Sequence, residues 1–121
     1  MGQRVLGVAL RYTKPASLLT IEVENIAEIV KQYGHRAGNE MLRHFSTMVT
    51  DRRRSEDVLA RSSFREFRML LPGVDEEGAK NVVEKIKNTL PAEDFIYRGK
   101  TLNVKINVVV ITSREEDLHL E

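Results

Sequence analysis

Apolar and polar residues alternate from Ser17 onward, with Leu19, Ile21 and Val23 on one face of the chain and Thr20, Glu22 and Glu24 on the other. A period of two residues is typical of a half-buried β-strand. A short strand is predicted near Phe95 to Tyr97, with a turn at Arg98-Gly99-Lys100. The turn leads into one long alternating strand whose apolar positions are Leu102, Val104, Ile106, Val108 and Val110.

Other segments have helical spacing. A brief helix is predicted from Asn25 to Gln32, with Gly34 as its C-cap. A longer helix follows and is closed by the basic run Arg52 to Arg54; its apolar positions are Ala37, Met41, Leu42, Phe45, Met48 and Val49. Another helix opens at Asp75-Glu76-Glu77, where acids favour a helix N-terminus, and is stopped by Pro91; its stripe is Ala79, Val82, Val83, Ile86 and Leu90. A short helix over Arg4 to Tyr12 is also predicted.

The stretch LARSSFREFRMLLPG, residues 59–73, predicts a β-hairpin with arms Val58 to Arg61 and Phe67 to Leu71. Its turn, Ser63-Phe64-Arg65-Glu66, lacks the Gly, Asn or Asp that tight hairpin turns favour. The element order is therefore β-α-α-β-β-α-β-β. This order predicts an α/β (α+β) sandwich of ferredoxin-like character, in which helices cover a largely antiparallel central sheet.

Composition narrows the class of protein. The chain has 121 residues, 41% of them hydrophobic and 31% charged, which suits one soluble domain over residues 1–121. The absence of cysteine excludes disulfides, thiolate metal sites and a cysteine nucleophile. A net charge of +1 predicts no nucleic-acid partner and leaves Arg52 to Arg54 as the one local cluster for an anion.

The sequence also allows a prediction of the cellular location and of the origin of the chain. No apolar run is long enough to span a bilayer, and the N-terminus lacks a signal-peptide pattern, so we expect a cytoplasmic domain without membrane contact. Leu120-Glu121 and Met1-Gly2 resemble remnants of an expression vector. We therefore expect a piece excised from a longer signalling protein.

Several short motifs resemble those of the GGDEF family, which includes the diguanylate cyclases that make cyclic di-GMP from two GTP. The similarity covers about Ser17 to Ile111. Tyr33-Gly34-His35, Gly38 and Glu40-Met41-Leu42 resemble the family's YGHxxGDxxL segment; Ala60-Arg61, Glu66-Phe67 and Leu70-Leu71-Pro72-Gly73 frame its signature hairpin. The resemblance implies a nucleotidyl-cyclase-like sandwich. It also places Ser63-Phe64-Arg65-Glu66-Phe67 at the GGDEF position.

The resemblance implies that this signature has degenerated. In the family, paired glycines let the backbone approach the nucleotide phosphates, whereas Ser63 and Phe64 fill that space. The family's metal-binding acid is replaced by Arg65, which has no lone pair for a metal, and Glu22 stands alone at the other metal-acid position. Glu22 and Glu24 share one face of the predicted strand, and we expect this face to be exposed to solvent rather than to bind a metal. We expect no metal, no cofactor and no catalytic residue.

Guanine recognition is altered as well. Val30 stands where the family places an Asn, and Asn39 replaces the family's base-reading Asp. An amide offers one acceptor oxygen and presents a donor where a carboxylate would accept two hydrogen bonds from the guanine edge. Asn39 is equally well explained as an exposed helix residue. Both interpretations predict poor GTP binding.

When the chain is matched to the family in this way, one functional element is retained. Arg54-Ser55-Glu56-Asp57 matches the RxxD motif of the family's product-binding inhibitory site, and Lys85 lies where the family often supplies another basic contact. Arg can engage phosphate through its donors, and Asp can accept from guanine. The alternative is that Arg54 only compensates a helix dipole. The predicted ligand residues are Arg54, Asp57 and Lys85.

The remaining polar and aromatic residues carry less information. His35 belongs to the segment that resembles YGH, and His44 and His119 have no metal-ligand spacing with other candidates. All three are predicted to be structural or surface residues. Phe45, Phe67 and Phe95 are predicted to be core residues. Phe64 is either an exposed contact residue or folds back onto the sheet.

These observations predict a catalytically inactive GGDEF-like receptor in cyclic di-GMP signalling. Its partners would be cyclic di-GMP at the RxxD site, other domains of the parent protein and a second copy in a homodimer. One alternative is a structural interaction or dimerisation module that binds no nucleotide. The least favoured alternative is a residual diguanylate cyclase.

Overall fold

The computed structural model describes residues 14–90 and 95–114. The strands are β1 (Pro15–Val23), β2 (Val58–Arg61), β3 (Glu66–Pro72), β4 (Phe95–Tyr97), β5 (Lys100–Leu102) and β6 (Ile106–Arg114), and the helices are α1 (Ile26–Tyr33), α2 (His35–Arg52) and α3 (Glu76–Thr89). The predicted helix over Arg4 to Tyr12, the stop at Pro91 and His119 lie outside the described residues. None of the described helices is both long and apolar enough to cross a bilayer.

Four strands form the central sheet in the order β2-β3-β1-β6, and every pairing in it is antiparallel. The register pairs Leu19 of β1 with Met69 of β3 on one side and with Val110 of β6 on the other. Alternation places the apolar residues of β1 and β3 on one face, where the helices pack against them. The predicted fold class, helices covering an antiparallel sheet, is confirmed.

The core lies between this sheet and the three helices. Its buried side chains include Leu19 and Ile21 from β1, and Met41, Leu42 and Phe45 from α2. Phe45 and Phe67 contact each other with ring centroids 5.6 Å apart, and Phe95 is buried in the same core cluster. The prediction that these three phenylalanines are core residues is confirmed.

Two local signals define the helix ends as predicted. Gly34 has φ +97° and separates α1 from α2, a conformation that glycine adopts without strain. Asp75 caps α3 by accepting a hydrogen bond from the backbone N–H of Gly78 at 2.8 Å. At the C-terminal end of α2, the backbone of Arg53 is already extended. The helix therefore ends at Arg52, within the basic run Arg52 to Arg54.

The single strand predicted from Leu102 to Val110 is wrong, because the chain breaks between β5 and β6. The buried Asn25 side chain causes the break: its Nδ2 donates to the Asn103 carbonyl at 2.7 Å and its Oδ1 accepts from the Lys105 N–H at 3.1 Å. The Lys105 carbonyl accepts from the Glu24 N–H at 2.7 Å. The last bond continues the β1–β6 register by one residue, whereas the Asn25 side chain occupies the Asn103 carbonyl and the Lys105 N–H. β4 and β5 form a separate two-stranded sheet.

Candidate functional site

The signature hairpin forms as predicted, with β2 and β3 as its arms and an exposed four-residue tip over residues 62–65. The N–H groups of Ser62 and Ser63 both donate to the Glu66 carbonyl, at 2.9 and 3.3 Å, and the Ser62 hydroxyl contacts the Glu66 carboxylate at 2.6 Å. Glu66, expected in the turn, is the first residue of β3. The tip is therefore closed by its own hydrogen bonds without a glycine.

Arg65 and Glu22, predicted to occupy the two metal-acid positions, form an ion pair with Nε and Oε2 3.2 Å apart. The Arg65 carbonyl also accepts from the Val23 N–H at 2.9 Å, which anchors the tip to β1. A carboxylate paired with a guanidinium is a poor cation ligand, because Arg65 supplies the charge that a metal would supply. Across the described ranges, no three His, Asp or Glu residues cluster as a metal site would require.

Arg61 organises the rest of the tip. Its side chain donates to the carbonyls of Ser63 at 3.1 Å and Phe64 at 2.6 Å. Its guanidinium carbon lies 5.6 Å from the ring centroid of Phe64 and 5.9 Å from that of Phe67. Phe64 remains 46% exposed, so it does not fold back onto the sheet. Its role as a contact residue stays a prediction.

The two residues predicted in the base pocket have different surroundings. Asn39 is exposed on α2 and lines a cavity of about 580 Å³ between α2 and the hairpin. Val30 on α1 instead packs against α2: a Cβ added to Gly38 would lie 2.6 Å from Val30 Cγ2. Val30 thus contributes to the contact between two helices. It is not among the residues that line this cavity.

Arg54 and Asp57 form a closed pair in the turn between α2 and β2. Asp57 is 6% exposed; its Oδ1 accepts from Arg54 Nε at 3.0 Å and Nη2 at 2.6 Å, and its Oδ2 accepts from the Arg54 backbone N–H at 2.9 Å. The hydrogen bond to Asp57 raises the pKa of Arg54 above its ordinary value, against a smaller opposing effect of burial. Arg54 Nη2 also donates to the Pro72 carbonyl at 2.9 Å, which connects the turn to the end of β3.

These two residues and Lys85 line one groove of about 600 Å³ between the C-terminal end of α2 and α3. Its apolar lining comes from Val49, Met69, Val82 and Ile86. Arg52, Arg53 and Lys85 add positive charge around that lining. A groove with apolar walls and cationic donors suits a ligand with planar rings and phosphates.

Other groove residues lie outside the predicted ligand set of Arg54, Asp57 and Lys85, although Arg53 belongs to the basic run predicted as the one local cluster for an anion. Arg53 Nη1 donates to the carbonyls of Arg54 and Asp57, at 3.2 and 3.0 Å, and so stabilises the turn. Asn88 and Thr89 lie one turn beyond Lys85 on α3. The helical spacing of Lys85 and Thr89 is a signal that could have placed Thr89 on the same face.

Two of the three histidines, His35 and His44, lie within the described residues. His35 is exposed at the start of α2, and the His44 ring lies 5.6 Å from that of Phe95. The prediction that both are structural or surface residues agrees with these positions.

Comparison with known proteins gives the family. The model of the family described as "Diguanylate cyclase, GGDEF domain" matches residues 3–120. Diguanylate cyclase A of Treponema denticola is 30% identical over 94 residues, 78% of this chain and 25% of that protein. The chain thus spans about a quarter of the length of that curated relative.

Solved structures have the same fold. Diguanylate cyclase SiaD of Pseudomonas aeruginosa, in complex with its activator SiaC, superposes with a TM-score of 0.79 at 22% identity, covering 87% of this chain and 40% of that one. The GGDEF domain of DgcB from Caulobacter crescentus, in complex with c-di-GMP, gives 0.77 at 13% identity, covering 85% and 62%. With the match of the family model over nearly the whole chain, the protein belongs to the GGDEF family.

Proposed function

We propose that this GGDEF domain has no cyclase activity and acts as a receptor for cyclic di-GMP, which it binds in the groove lined by Arg54, Asp57 and Lys85. It would serve as a single regulatory domain of a longer cytoplasmic signalling protein. The observation that carries the proposal is the contrast between two sites. The groove combines apolar walls with cationic side chains that suit a ligand, whereas Arg65 at the hairpin tip forms an ion pair with Glu22.

The loss of catalysis rests on the tip. The backbone can approach phosphates closely only where no side chain is in the way, and Ser63 and Phe64 both have side chains at these positions. Arg65 in addition repels a divalent cation. Arg61 binds the carbonyls of Ser63 and Phe64, so the tip is held in this arrangement. Incubation with GTP and Mg²⁺ or Mn²⁺ should give no cyclic di-GMP above a no-protein control. Accumulation of product would contradict this part of the proposal.

Ligand binding rests on the groove. Calorimetry with cyclic di-GMP should detect binding to the wild type. Loss of one charge-assisted contact costs about 1.5–3 kcal/mol, so Arg54→Ala should weaken affinity about ten- to a hundredfold. Arg65→Ala, which removes an equal charge at the hairpin tip, is the matched control and should change affinity little.

A second variant is needed because Arg54→Ala leaves the buried carboxylate of Asp57 without its ion-pair partner. Lys85→Ala removes an exposed cation from the other wall of the groove and should also weaken binding. Thermal unfolding of each variant shows whether it is folded. Equal sensitivity to Arg65→Ala would place the ligand at the hairpin instead.

The rival function, an interaction module that binds no nucleotide, is favoured by one observation. Phe64 is a large apolar residue that Arg61 holds at an exposed hairpin tip, and aromatic and Arg side chains often anchor protein interfaces. No heat from the wild type at high micromolar cyclic di-GMP would favour this rival. A loss of self-association in Phe64→Ser, measured by sedimentation, would support it directly.

A further inference from the structure

The donors of Arg54 are mostly occupied from inside the protein. Nε and Nη2 both contact Asp57, and Nη2 also donates to the Pro72 carbonyl. Since a guanidinium donates five hydrogen bonds in one plane, Nη1 is the nitrogen left for a ligand that keeps the Asp57 pair intact. An anion can therefore engage Arg54 without breaking a buried ion pair only at Nη1.

That nitrogen already has an anion beside it. Glu56 Oε2 lies 3.2 Å from Arg54 Nη1, on the turn between α2 and β2. Glu56 is 52% exposed, and the Ser55 hydroxyl lies 3.4 Å from its other oxygen. Such an exposed pair is weak, so Glu56 can move away from Arg54 at low cost. Its carboxylate and an incoming phosphate would compete for the same donor.

We infer that Glu56 is an internal competitor that lowers the affinity of Arg54 for phosphate-bearing ligands and so sets the ligand concentration to which the groove responds. This inference rests on the proposed function for its natural ligand, cyclic di-GMP. The competition itself is a property of the Arg54–Glu56 pair and extends to any phosphodiester or pyrophosphate that reaches Nη1. Removal of the Glu56 charge should therefore tighten binding, whereas a merely structural role for Glu56 would weaken it.

The first experiment compares the wild type with Glu56→Gln by calorimetry with cyclic di-GMP at low ionic strength, where surface charges are least screened. Removal of the competing carboxylate and of its repulsion for phosphate should tighten binding about two- to fivefold. Glu28→Gln is the matched control: it deletes an equal charge on α1, which does not line the groove, and should leave affinity unchanged. Unchanged or weaker binding by Glu56→Gln would overturn the inference.

A second measurement separates failure of this inference from failure of the proposed function. The side-chain N–H signals of Arg54 are followed by NMR while inorganic pyrophosphate is added to wild type and Glu56→Gln. Arg54 should respond at lower pyrophosphate concentration in the variant. If neither protein binds cyclic di-GMP but this difference is seen, the proposed receptor function is contradicted and the competition between Glu56 and phosphate is supported. If Arg54 responds equally in both proteins, or in neither, the competition is wrong.

Discussion

At the residue scale, Gly38 shows how closely α1 and α2 pack. A Cβ at this position would lie 2.6 Å from Val30 Cγ2, a contact that cannot be kept without movement. Val is stiff at χ1, so the adjustment has to come from the helices. The sequence resemblance matches Gly38 and Val30 to separate motifs of the family, and only the folded chain brings the two residues together.

We predict that Gly38→Ala destabilises the protein by about 1–2 kcal/mol in urea unfolding, because overpacking outweighs the helix propensity that Ala adds. Val30→Ala provides the control. In that background the clash is gone, and Gly38→Ala should be neutral or stabilising. Additive effects of the two substitutions would show that the residues do not compete for space.

Arg65 allows a second prediction at this scale. Arg65→Asp restores an acid at the position that the resemblance assigns to metal binding, next to Glu22. It should not restore cyclic di-GMP synthesis from GTP and Mg²⁺, because Ser63, Phe64, Val30 and Asn39 are unchanged. Product chromatography against the wild type is the measurement. Synthesis above the wild-type level would show that Arg65 alone had silenced the site.

At the element scale, the break between β5 and β6 depends on Asn25. Its side chain makes two backbone hydrogen bonds, to residues 103 and 105, from a buried position at the start of α1. Asn25→Ala would leave the Asn103 carbonyl and the Lys105 N–H without these partners. We predict a loss of about 2–3 kcal/mol of unfolding free energy.

Asn107→Ala, an exposed asparagine on the adjoining strand β6, is the control for this prediction. It should change the unfolding free energy by less than about 0.5 kcal/mol. A difference between the two variants smaller than 0.5 kcal/mol, on the order of ordinary surface effects, would show that Asn25 does not hold the break.

The same elements show what the sequence could predict. Periods of two and of 3.6 residues identify β1, α2 and α3, because each element buries one face and its pattern is local. The break at residues 103–105 was missed because alternation continues through it while the cause, Asn25, lies 78 residues away from Asn103. A side chain that bonds to distant backbone leaves no periodic signal.

At the scale of the whole molecule, the sequence predicted the residues of two candidate sites but not their pairings. Arg54, Asp57 and Lys85 were predicted as ligand residues, and the structure places all three in one groove. Asp57 pairs with Arg54 within one turn of the chain, and Arg65 at the hairpin tip pairs with Glu22 of β1, each at about 3 Å. The second pair joins residues far apart in the sequence, so no spacing rule predicts it. The fold thus separates a closed hairpin tip from an open groove.

The most direct test of this separation is one titration of isotope-labelled protein with cyclic di-GMP, followed by NMR of the backbone amides. If the domain is a receptor that binds in the groove, the signals of Arg54, Asp57, Lys85 and Thr89 should shift and saturate together, while those of Ser63 to Arg65 at the hairpin tip stay unchanged. Shifts concentrated at the hairpin tip, or no shift anywhere at high micromolar ligand, would contradict the receptor function.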